Sequence, residues 1–394
     1  MIGSEARYRA FLDQRAHQGL RRFLLAVATR EARTVQAEGG AYVNFASNDY
    51  LGLRFNEALI RRAIEWADAW GVGSGASRLV TGNLELFRPI ETKLARLKGK
   101  EAALVMASGF QTNAAALQAI LDRSVLGAEP LVFADRLNHA SIHFGCQAAG
   151  ARQIRYRHCD AGHLGALLAD HEGDSRPKFI LSESVFSMDG DLAPLAELSR
   201  LAREHEACLI VDDAHATGIL GEGGSGLGGE ADIVIGTFSK ALGSFGGFVA
   251  GSETVRDYLV NRCAGVIYST ALPPPVLGAI DAALDIITGM DAERAHVASI
   301  AARFRAGASA AGLDTGNAAT QIVPVLLGTP EAALAMSLRL RQAGIWAASI
   351  RPPTVPPGTA RLRVAFTAAH EDADVDRLLD VLAAGDARPR AEAV

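Results

Sequence analysis

The stretch "ADIVIGTFSKALG", residues 231–243, places one lysine, Lys240, a few positions after a short apolar run. A lysine near glycine residues often binds phosphate in a P-loop, whose spacing is G-x-x-x-x-G-K-[ST]. That spacing is absent here, because Ser239 and not a glycine precedes Lys240. The apolar run predicts a strand, and the amine that follows it must therefore serve another kind of ligand.

Short apolar runs alternate with helix-like segments on both sides of this stretch. Six runs predict strands: "LVFAD" (131–135), "QIRYRH" (153–158), "KFILSES" (178–184), "ACLIVDDA" (207–214), "ADIVIGT" (231–237) and "GGFVAG" (246–251). Such alternation is typical of a mostly parallel sheet that is covered by helices. The sequence therefore predicts the α/β fold class.

A length of 394 residues suggests two domains. The segment "ALPPP" (271–275) interrupts the alternation, and a long helical segment at 274–310 and a small α+β pattern follow it. We therefore expect an N-terminal helix and arm over 1–47, a large domain over 48–270, and a linking helix with a smaller C-terminal domain over 271–394.

Composition and charge exclude several classes of protein. The formal net charge is -5 and 21% of the residues are charged, with no long run of one sign, so neither a nucleic-acid stripe nor a polybasic membrane patch is expected. No apolar run reaches the roughly 18 residues of a membrane span, and the charged N-terminal segment does not resemble a signal peptide. The four cysteines form no C-x-x-C pair, which indicates reduced thiols. A cytoplasmic protein is expected.

In an open α/β sheet, ligands bind beyond the carboxyl ends of the strands. The polar residues expected there are Asp135, His139, Ser187, Asp212, Asp213, His215, Thr237, Ser239 and Lys240. A predicted helix that begins near Gly109 adds free N–H groups at the positive end of its dipole, which suit an anion. An amine, an acid, an imidazole and an anion cradle are together what pyridoxal phosphate requires. The sequence therefore predicts a pyridoxal-phosphate enzyme in which Lys240 forms the Schiff base.

Two further motifs are not assigned to a ligand. His139, His143 and Cys146 follow the i, i+4, i+7 spacing of one helix face, but helix packing explains this as well as metal binding does, and no metal is predicted. The segment "GEGGSGLGG" (221–229) resembles a dinucleotide-binding loop. Because it follows no strand directly and opens no helix, we expect a mobile loop without a cofactor.

Nine motifs, in order across nearly the whole chain, resemble the α-oxoamine synthases among the fold-type I pyridoxal-phosphate enzymes. They are "FASNDYLGL" (45–53), "GSGASRLVTGN" (73–83), "SGFQTN" (108–113), "DRLNHASI" (135–142), "SVFSMDGD" (184–191), "VDDAHATG" (211–218), "TFSKALG" (237–243), "IYSTALPP" (267–274) and "IRPPTVPPGTARLRVAFTAAH" (350–370). Within the family, the chain resembles the branch of biotin biosynthesis more than the glycine-using aminoketobutyrate ligase and 5-aminolevulinate synthase.

The resemblance implies roles for the residues that match the motifs. Lys240 would form the Schiff base and transfer protons, Asp212 would face the pyridine nitrogen, His215 the ring hydroxyl, and His139 the ring face. The remaining cofactor contacts would come from Gly109, Phe110, Thr237 and Ser187.

The resemblance also implies substrate contacts. Asn48 and Arg363 would hold the carboxylate of the amino acid. Arg21, on the expected N-terminal helix, and Thr354 would lie near the acyl substrate. Arg22 and Arg351 are alternatives to Arg21.

The implied reaction condenses L-alanine with a pimeloyl thioester of coenzyme A or of acyl carrier protein. The alternative is another α-oxoamine synthase, such as the glycine and acetyl-CoA branch. A plain aminotransferase would share Lys240 and Asp212 but would not explain "SMDGD" (187–191) or a thioester pocket. A non-catalytic regulator of the same fold is disfavoured because both residues are intact. A homodimer is expected, with "IYSTALPP" (267–274) reaching the cofactor phosphate of the partner.

Overall fold

A computed structural model describes residues 3–384. Its helices are α1 (Glu5–His17), α2 (Glu57–Trp70), α3 (Phe87–Lys98), α4 (Gly109–Ile120), α5 (Arg123–Leu126), α6 (Ala140–Ala148), α7 (Ala161–Ala169), α8 (Leu195–Glu204), α9 (Glu253–Arg262), α10 (Ala264–Ile267), α11 (Pro274–Ile286), α12 (Asp291–Ala310), α13 (Pro330–Gln342) and α14 (Asp372–Ala383). Its strands are β1 (Thr34–Ala37), β2 (Gly40–Asn44), β3 (Ala102–Met106), β4 (Leu131–Asp135), β5 (Gln153–Tyr156), β6 (Lys178–Glu183), β7 (Ala207–Asp212), β8 (Ile233–Thr237), β9 (Gly247–Gly251), β10 (Ile322–Gly328), β11 (Ile345–Trp346), β12 (Ala348–Ile350) and β13 (Ala360–Ala365). Over the described residues, no helix combines the length and the apolar character that crossing a membrane requires.

Seven strands form the largest sheet, in the order β3-β9-β8-β7-β6-β4-β5. The pairs from β8 to β5 are parallel, whereas β9 is antiparallel to both of its neighbours. Every residue of β3, β4, β8 and β9 is buried, which is the pattern of a sheet with both faces covered. The predicted α/β class with a mostly parallel sheet is confirmed.

All six strands that the sequence predicts in this region are present. Strand β4 has the predicted bounds, and β5, β6 and β7 end one or two residues before the predicted ends because the polar residues that follow leave the ladder. Strand β3 was not predicted, although its sequence "AALVM" is a short apolar run of the same kind. The carboxyl ends of β4, β6, β7 and β8 carry the polar residues considered above.

The chain forms two compact units. The larger unit consists of residues 48–187 and 191–295 and contains the seven-stranded sheet. The smaller unit consists of the residues up to 47, residues 188–190 and the residues from 296 onward. Helix α11, which the sequence analysis places with the small domain, packs against α2 and α3 in the larger unit.

The smaller unit contains two three-stranded sheets. One has the antiparallel order β10-β13-β12, and the other has the order β1-β2-β11, in which β11 runs parallel to β2. Its core includes Phe45, Phe304 and Phe366, each fully buried, and the rings of Phe45 and Phe366 meet edge to face at 5.7 Å. The apolar run "IWAASIR" (345–351), which belongs to the α+β pattern expected at this end of the chain, is therefore split between two sheets.

Two expected helices differ from the structure. The segment 274–310 is interrupted, because a short 3-10 turn at Ile287–Gly289 separates α11 from α12. Glycine is a weak helix former, and Asp291 in the first turn favours a new helix start. Helix α1 ends at His17, and Gly19 follows it with a φ of 63°, a left-handed conformation that ends helices. Arg21 thus lies beyond the helix on which it was expected.

A half-buried histidine links three parts of the larger unit. His158, which follows β5, bonds through Nδ1 to Asp135 Oδ1 at 3.0 Å and through Nε2 to Asp191 Oδ2 at 2.9 Å. Burial alone would lower the pKa of the ring, but hydrogen bonds to the two carboxylates outweigh this and raise the pKa of His158 to about 12. The imidazolium therefore holds the end of β4 and the segment after β6 to the end of β5.

Replacing His158 with glutamine is expected to lower the free energy of unfolding by about 3 kcal/mol near neutral pH, because two buried carboxylates lose their cation. The raised pKa of the folded state means that the ionic contribution is complete below the unfolded pKa of about 6.5 and declines as the pH rises towards the folded value. The difference between wild type and variant should therefore be larger at about pH 6 than at about pH 9. Denaturant titrations at both pH values measure it.

His205→Gln is the matched control, because His205 lies 3.7 Å from the exposed carboxylate of Glu172. It should change stability by less than about 1 kcal/mol. A His158 difference that does not shrink at the higher pH would contradict the charged state assigned to the ring.

Candidate active site

A cavity of about 220 Å³ lies at the carboxyl ends of the large sheet, entirely within the larger unit. Most of the residues that the sequence predicts for the cofactor line it. They are Gly109, Phe110, His139, Asp212, His215, Thr237 and Lys240. The parallel strands bring these residues together because each strand ends at the same edge of the sheet.

The amine of Lys240 belongs to a chain of hydrogen bonds. Its Nζ lies 2.8 Å from His215 Nε2, and His215 Nδ1 lies 2.7 Å from the hydroxyl of Tyr50. The Tyr50 hydroxyl donates in turn to Asn48 Oδ1 at 3.1 Å. The consistent tautomer of a neutral His215 carries its proton on Nδ1, donates to Tyr50 and accepts from Lys240 through Nε2. This chain connects Asn48, which does not line the cavity, to the lysine.

Lys240 is the single lysine that lines this cavity among the described residues. The chain has only five lysines, and the other four have their own environments. Lys93 forms an ion pair with Asp281, and Lys98 forms a buried ion pair with Asp213. Lys100 bonds to the carbonyls of Gly229 and Ala231. Lys178 is the first residue of β6, at the end of the strand away from the cavity.

The carboxylate of Asp212 is held in place by two donors. Asn113 Nδ2 donates to Oδ2 at 2.6 Å, and the N–H of Ala214 donates to Oδ1 at 3.0 Å. Asn113 also donates to Ser141 Oγ at 3.0 Å, and Ser141 lies 2.7 Å from His139 Nδ1. Asp212 is therefore a fixed acceptor at the cavity wall. Asn113 and Ser141 were missed by the sequence analysis because they lie inside helices.

Glu183, at the end of β6, is a second acid in the cavity wall that the sequence analysis did not select. It is 3% exposed and accepts the backbone N–H of His139 at 2.6 Å. Burial and the neighbouring Asp212 raise the pKa of Glu183 well above its ordinary value, so the neutral acid is favoured. Its position after the run "KFILS" in β6 is the signal that could have identified it.

Helix α4 presents its N-terminus to the same cavity. The side chain of Ser108 caps the helix by accepting the N–H of Gln111, and the first residues are Gly109 and Phe110. First-turn N–H groups have no acceptor within a helix, so they can bind an anion. A Cβ on Gly109 would lie only 3.1 Å from Cβ of Thr237, so glycine keeps this approach open.

The residues present fit pyridoxal phosphate. An amine that can bind an aldehyde, a fixed carboxylate that can pair with a protonated ring nitrogen, and helix N–H groups beside a threonine hydroxyl line a single cavity. Desolvation lowers the pKa of His139, an effect that Asp212 opposes and Lys240 reinforces, so its neutral ring is favoured next to the cavity. These are the donors and acceptors that the cofactor needs.

Other predicted site residues lie elsewhere. Ser187 is in the larger unit but does not line the cavity, and Arg363 is buried in β13 of the smaller unit. The structure places Arg22, and not Arg21, beside Thr354: Arg22 Nη2 donates to Thr354 Oγ1 at 2.8 Å. Arg21 instead lies over the ring of Phe23, 5.3 Å from its centroid. Two adjacent arginines in an extended segment point in different directions, which the sequence alone could not resolve.

Arg22 and Thr354 line a second cavity of about 160 Å³ within the smaller unit, together with Arg351. Of the described residues that line it, none is acidic. Arg351 donates to the carbonyl of Gly19, and burial and the neighbouring Arg22 both lower the pKa of Arg351. Two guanidinium groups that share a pocket without a carboxylate form a site for an anion.

The side chains at the spacing that resembled a metal site have other partners. His143 Nδ1 bonds to Gln153 Oε1 at 2.7 Å, and Cys146 is buried in the core. The group of possible ligands found among the described residues is instead Asp135, His158 and Cys159. Both ring nitrogens of His158 bond to carboxylates, so an ion pair accounts for it.

Comparisons with known proteins identify the family to which the chain belongs. A family model described as "Aminotransferase class I and II" matches residues 41–382. The chain is 54% identical to 8-amino-7-oxononanoate synthase of Gluconacetobacter diazotrophicus, over 95% of this chain and 96% of that one. It is 46% identical to the protein of the same name from Geobacter sulfurreducens, over 94% of this chain and 96% of the relative.

Solved structures are similar as well. Serine palmitoyltransferase of Sphingomonas wittichii aligns with a TM-score of 0.87 at 27% identity, over 96% of this chain and 95% of that one. A high-resolution structure of SPT with PLP aligns with a TM-score of 0.86 at 27% identity, over 97% of this chain and 96% of that one. The 8-amino-7-oxononanoate synthase of Francisella tularensis aligns with a TM-score of 0.75 at 25% identity, over 87% of this chain and 97% of that one.

Replacing Lys240 with alanine is expected to abolish covalent attachment of pyridoxal phosphate and to eliminate turnover, because the cavity loses its amine. Non-covalent binding should persist through the N-terminus of α4. Borohydride reduction of the loaded wild type, followed by peptide mapping, should place the pyridoxyl label on Lys240. Lys93→Ala is the control and should leave the label in place, whereas a label on any other lysine would refute the assignment.

Proposed function

The chain belongs to the class I and II aminotransferases and, among them, to the 8-amino-7-oxononanoate synthases, and on this premise we propose that it condenses L-alanine with a pimeloyl thioester. It is a pyridoxal-phosphate-dependent acyltransferase with the fold-type I architecture. The observation that carries the proposal is one cavity that holds both the amine of Lys240 and the fixed carboxylate of Asp212.

In the proposed reaction, Cα of alanine forms a bond to the thioester carbonyl carbon and the C–S bond breaks. The carrier leaves as a thiolate and takes a proton from solvent, and the carboxylate of alanine leaves as carbon dioxide, whose bonding electrons remain on Cα. The product is 8-amino-7-oxononanoate, an intermediate of biotin biosynthesis. The carrier is coenzyme A or acyl carrier protein, since both present the same thioester.

The residues of the cavity have separate tasks in holding the cofactor. Asp212 would pair with the ring nitrogen, His215 would contact the ring hydroxyl and His139 would cover one ring face. The phosphate would be held by the contacts at Gly109, Phe110 and Thr237, with Ser187 assigned by its motif to the ring hydroxyl or the substrate. When bound, pyridoxal phosphate supplies an aldehyde for the substrate amine and a ring that accepts electrons from Cα.

Lys240 would remove the proton from Cα and return it after carbon dioxide has left. A general base must be neutral to accept a proton, and its efficiency is greatest when its pKa lies near the working pH. The hydrogen bond from Lys240 to His215 Nε2 orients the amine, and the path through Tyr50 to Asn48 keeps that imidazole in one tautomer. The neutral Glu183 adds no negative charge beside Asp212, which leaves the pairing of Asp212 with a protonated nitrogen undisturbed.

The two substrate carboxylates would be held by polar side chains, of which at least one at each site is an arginine. Following the motif, Asn48 and Arg363 would hold the carboxylate of alanine, where a guanidinium offers two parallel donors. The far carboxylate of the pimeloyl chain would bind in the cavity of Arg22, Arg351 and Thr354, because burying it without a cation would be costly. The Arg21 contact implied by the resemblance is thus reassigned to its neighbour.

A homodimer is also part of the proposal. Tyr268 in "IYSTALPP" is 82% exposed in the single chain, and Val72 and Val80 near "GSGASRLVTGN" are 81% and 73% exposed. Apolar side chains this exposed in two family motifs favour their burial by a second copy of the chain. The segment 267–274 would then reach the cofactor phosphate of the partner.

A panel of thioesters and amino acids tests the proposed function. We expect pimeloyl thioester with L-alanine to release thiol fastest, because the second cavity pairs with the distal carboxylate. Acetyl thioester with glycine, or palmitoyl thioester with serine, should be poor. A faster reaction with acetyl thioester and glycine would move the chain to the glycine-using branch and would overturn the proposal.

Replacing Arg22 with alanine is expected to lower the preference for pimeloyl over heptanoyl thioester, which has the same length but lacks the distal carboxylate. Losing one charged hydrogen bond should cost about 2 kcal/mol, or roughly 30-fold in kcat/KM. Arg21→Ala is the matched control, and it should retain the preference. The opposite pattern would restore the family assignment of Arg21, and the KM for alanine should not change in either variant.

A further inference from the structure

Lys98, at the end of α3, is a fully buried ammonium outside the cofactor cavity. Its Nζ donates to Asp213 Oδ2 at 2.7 Å, to Thr217 Oγ1 at 2.7 Å and to the carbonyl of Ser225 at 2.6 Å. An ammonium has three donors, so all of them are used. Burial lowers the pKa of Lys98, and the charge and hydrogen bond of Asp213 oppose this. The side chains of Lys98 and Asp213 are 2% and 0% exposed.

The Asp213 carboxylate is satisfied as completely as its partner. In addition to Lys98, Oδ1 accepts Ser184 Oγ at 2.6 Å and the N–H of Leu227 at 3.1 Å. Thr217 stabilises the turn that follows β7, because its Oγ1 donates to the carbonyl of Asp213 at 2.8 Å. A buried polar network in which every member is paired holds a segment in one conformation.

The glycine-rich segment 221–229, expected from the sequence to be a mobile loop, packs against this pair. It contributes the carbonyl of Ser225 and the N–H of Leu227. Gly226 has a φ of 87°, and a Cβ there would overlap with Asp213 Oδ2 and lie 2.8 Å from Lys98 Nζ. Because Gly226 has no side chain, the backbone of this segment can approach the buried ion pair closely enough to bond to it.

Asp212 is the last residue of β7, and Asp213 follows it with its N–H still bonded to the carbonyl of Ile235 in β8 at 2.7 Å. The alternation of side chains along a strand therefore extends to Asp213. Asp212 lines the cavity, whereas Asp213 bonds to Lys98. The same turn, from Asp212 to Thr217, carries His215, which also lines the cavity. The bonds of Lys98 to Asp213 and Thr217 hold this turn on the side away from the cavity. They thus determine the positions of Asp212 and His215, which belong to the same turn and line the cavity.

We propose that Lys98 is a positioning residue, which holds Asp212 and His215 in place for the cofactor through its bonds to Asp213 and Thr217. The proposal rests on the cofactor-binding roles given above to Asp212 and His215. It does not depend on which amino acid or thioester the enzyme uses. The competing explanation is that the pair serves folding alone.

Four variants separate these explanations. Lys98→Met leaves a buried carboxylate unpaired and is expected to lower the melting temperature strongly. The double variant Lys98→Met with Asp213→Asn removes both charges, and replacing a whole buried pair restores much of the stability. Thr217→Val removes one acceptor of Lys98 and its bond to the Asp213 carbonyl while keeping the shape, and Thr217→Ser keeps the hydroxyl.

The measurements are the melting temperature of the apo chain, the affinity for pyridoxal phosphate, and the visible circular dichroism per bound cofactor. No substrate is needed, so a failed substrate assignment would leave these results interpretable. In the double variant and in Thr217→Val we expect a roughly tenfold weaker cofactor affinity and a reduced dichroic signal. These should accompany a fall of about 10- to 100-fold in kcat, since small displacements of reacting groups have large effects on rate, and only a minor change in KM for alanine.

Lys100→Met is the matched control, because Lys100 bonds to the carbonyls of Gly229 and Ala231 and not to the turn. It should leave the affinity and the dichroism unchanged, and Thr217→Ser should resemble the wild type. Wild-type affinity and dichroism in Thr217→Val and in a stable double variant would overturn the proposal and leave Lys98 with a structural role only. If the double variant does not fold, the two Thr217 variants decide the question by themselves.

Discussion

Successive side chains of a strand point to opposite sides, and at the end of β7 this rule separates two adjacent acids. Asp212 faces the cavity, where Asn113 holds its carboxylate, and Asp213 faces a buried ammonium. A single register thus places one acid in the cavity wall, where we propose that it pairs with the cofactor, and the next acid against Lys98, where we propose that it keeps the first one in position. The other groups of the cavity depend on the same principle, since each follows a parallel strand or begins a helix at one edge of the sheet.

Much of the larger unit could be predicted from the sequence, because its strands are short apolar runs that end in polar residues. Six of the nine polar residues expected after those runs, among them Lys240 and His215, line one cavity, whereas Asp135, Ser187 and Asp213 do not. Residues whose partners come from distant segments were not accessible in the same way. Lys98 looks like an ordinary charge near the end of an amphipathic helix, and Glu183 looks like the last polar residue of a strand. Only the folded arrangement shows that both are buried.

The smaller unit was harder to predict for a different reason. Its sheets combine strands that are far apart in the chain, as when β11 joins β2 while β12 joins β13. No local pattern in "IWAASIR" shows that one apolar run divides between two sheets. Likewise, helix α1 ends at His17, two residues before a glycine in the left-handed conformation, so the direction of Arg22 depends on tertiary contacts that no periodicity encodes. The family motifs could not show which of the neighbouring arginines bonds to Thr354, whereas the structure shows that Arg22 does.

The overlap that a side chain at position 226 would have with Asp213 means that Gly226, Asp213 and Lys98 are not independent of one another. Any replacement of Gly226 displaces the carboxylate, and any neutral replacement of Lys98 leaves that carboxylate without its cation. The effects of substitutions at these three positions on stability should therefore not add, because residues in one network are energetically coupled. In a mutational scan, the ion pair and its glycine should consequently behave as one unit, in which some paired substitutions are tolerated better than the single ones.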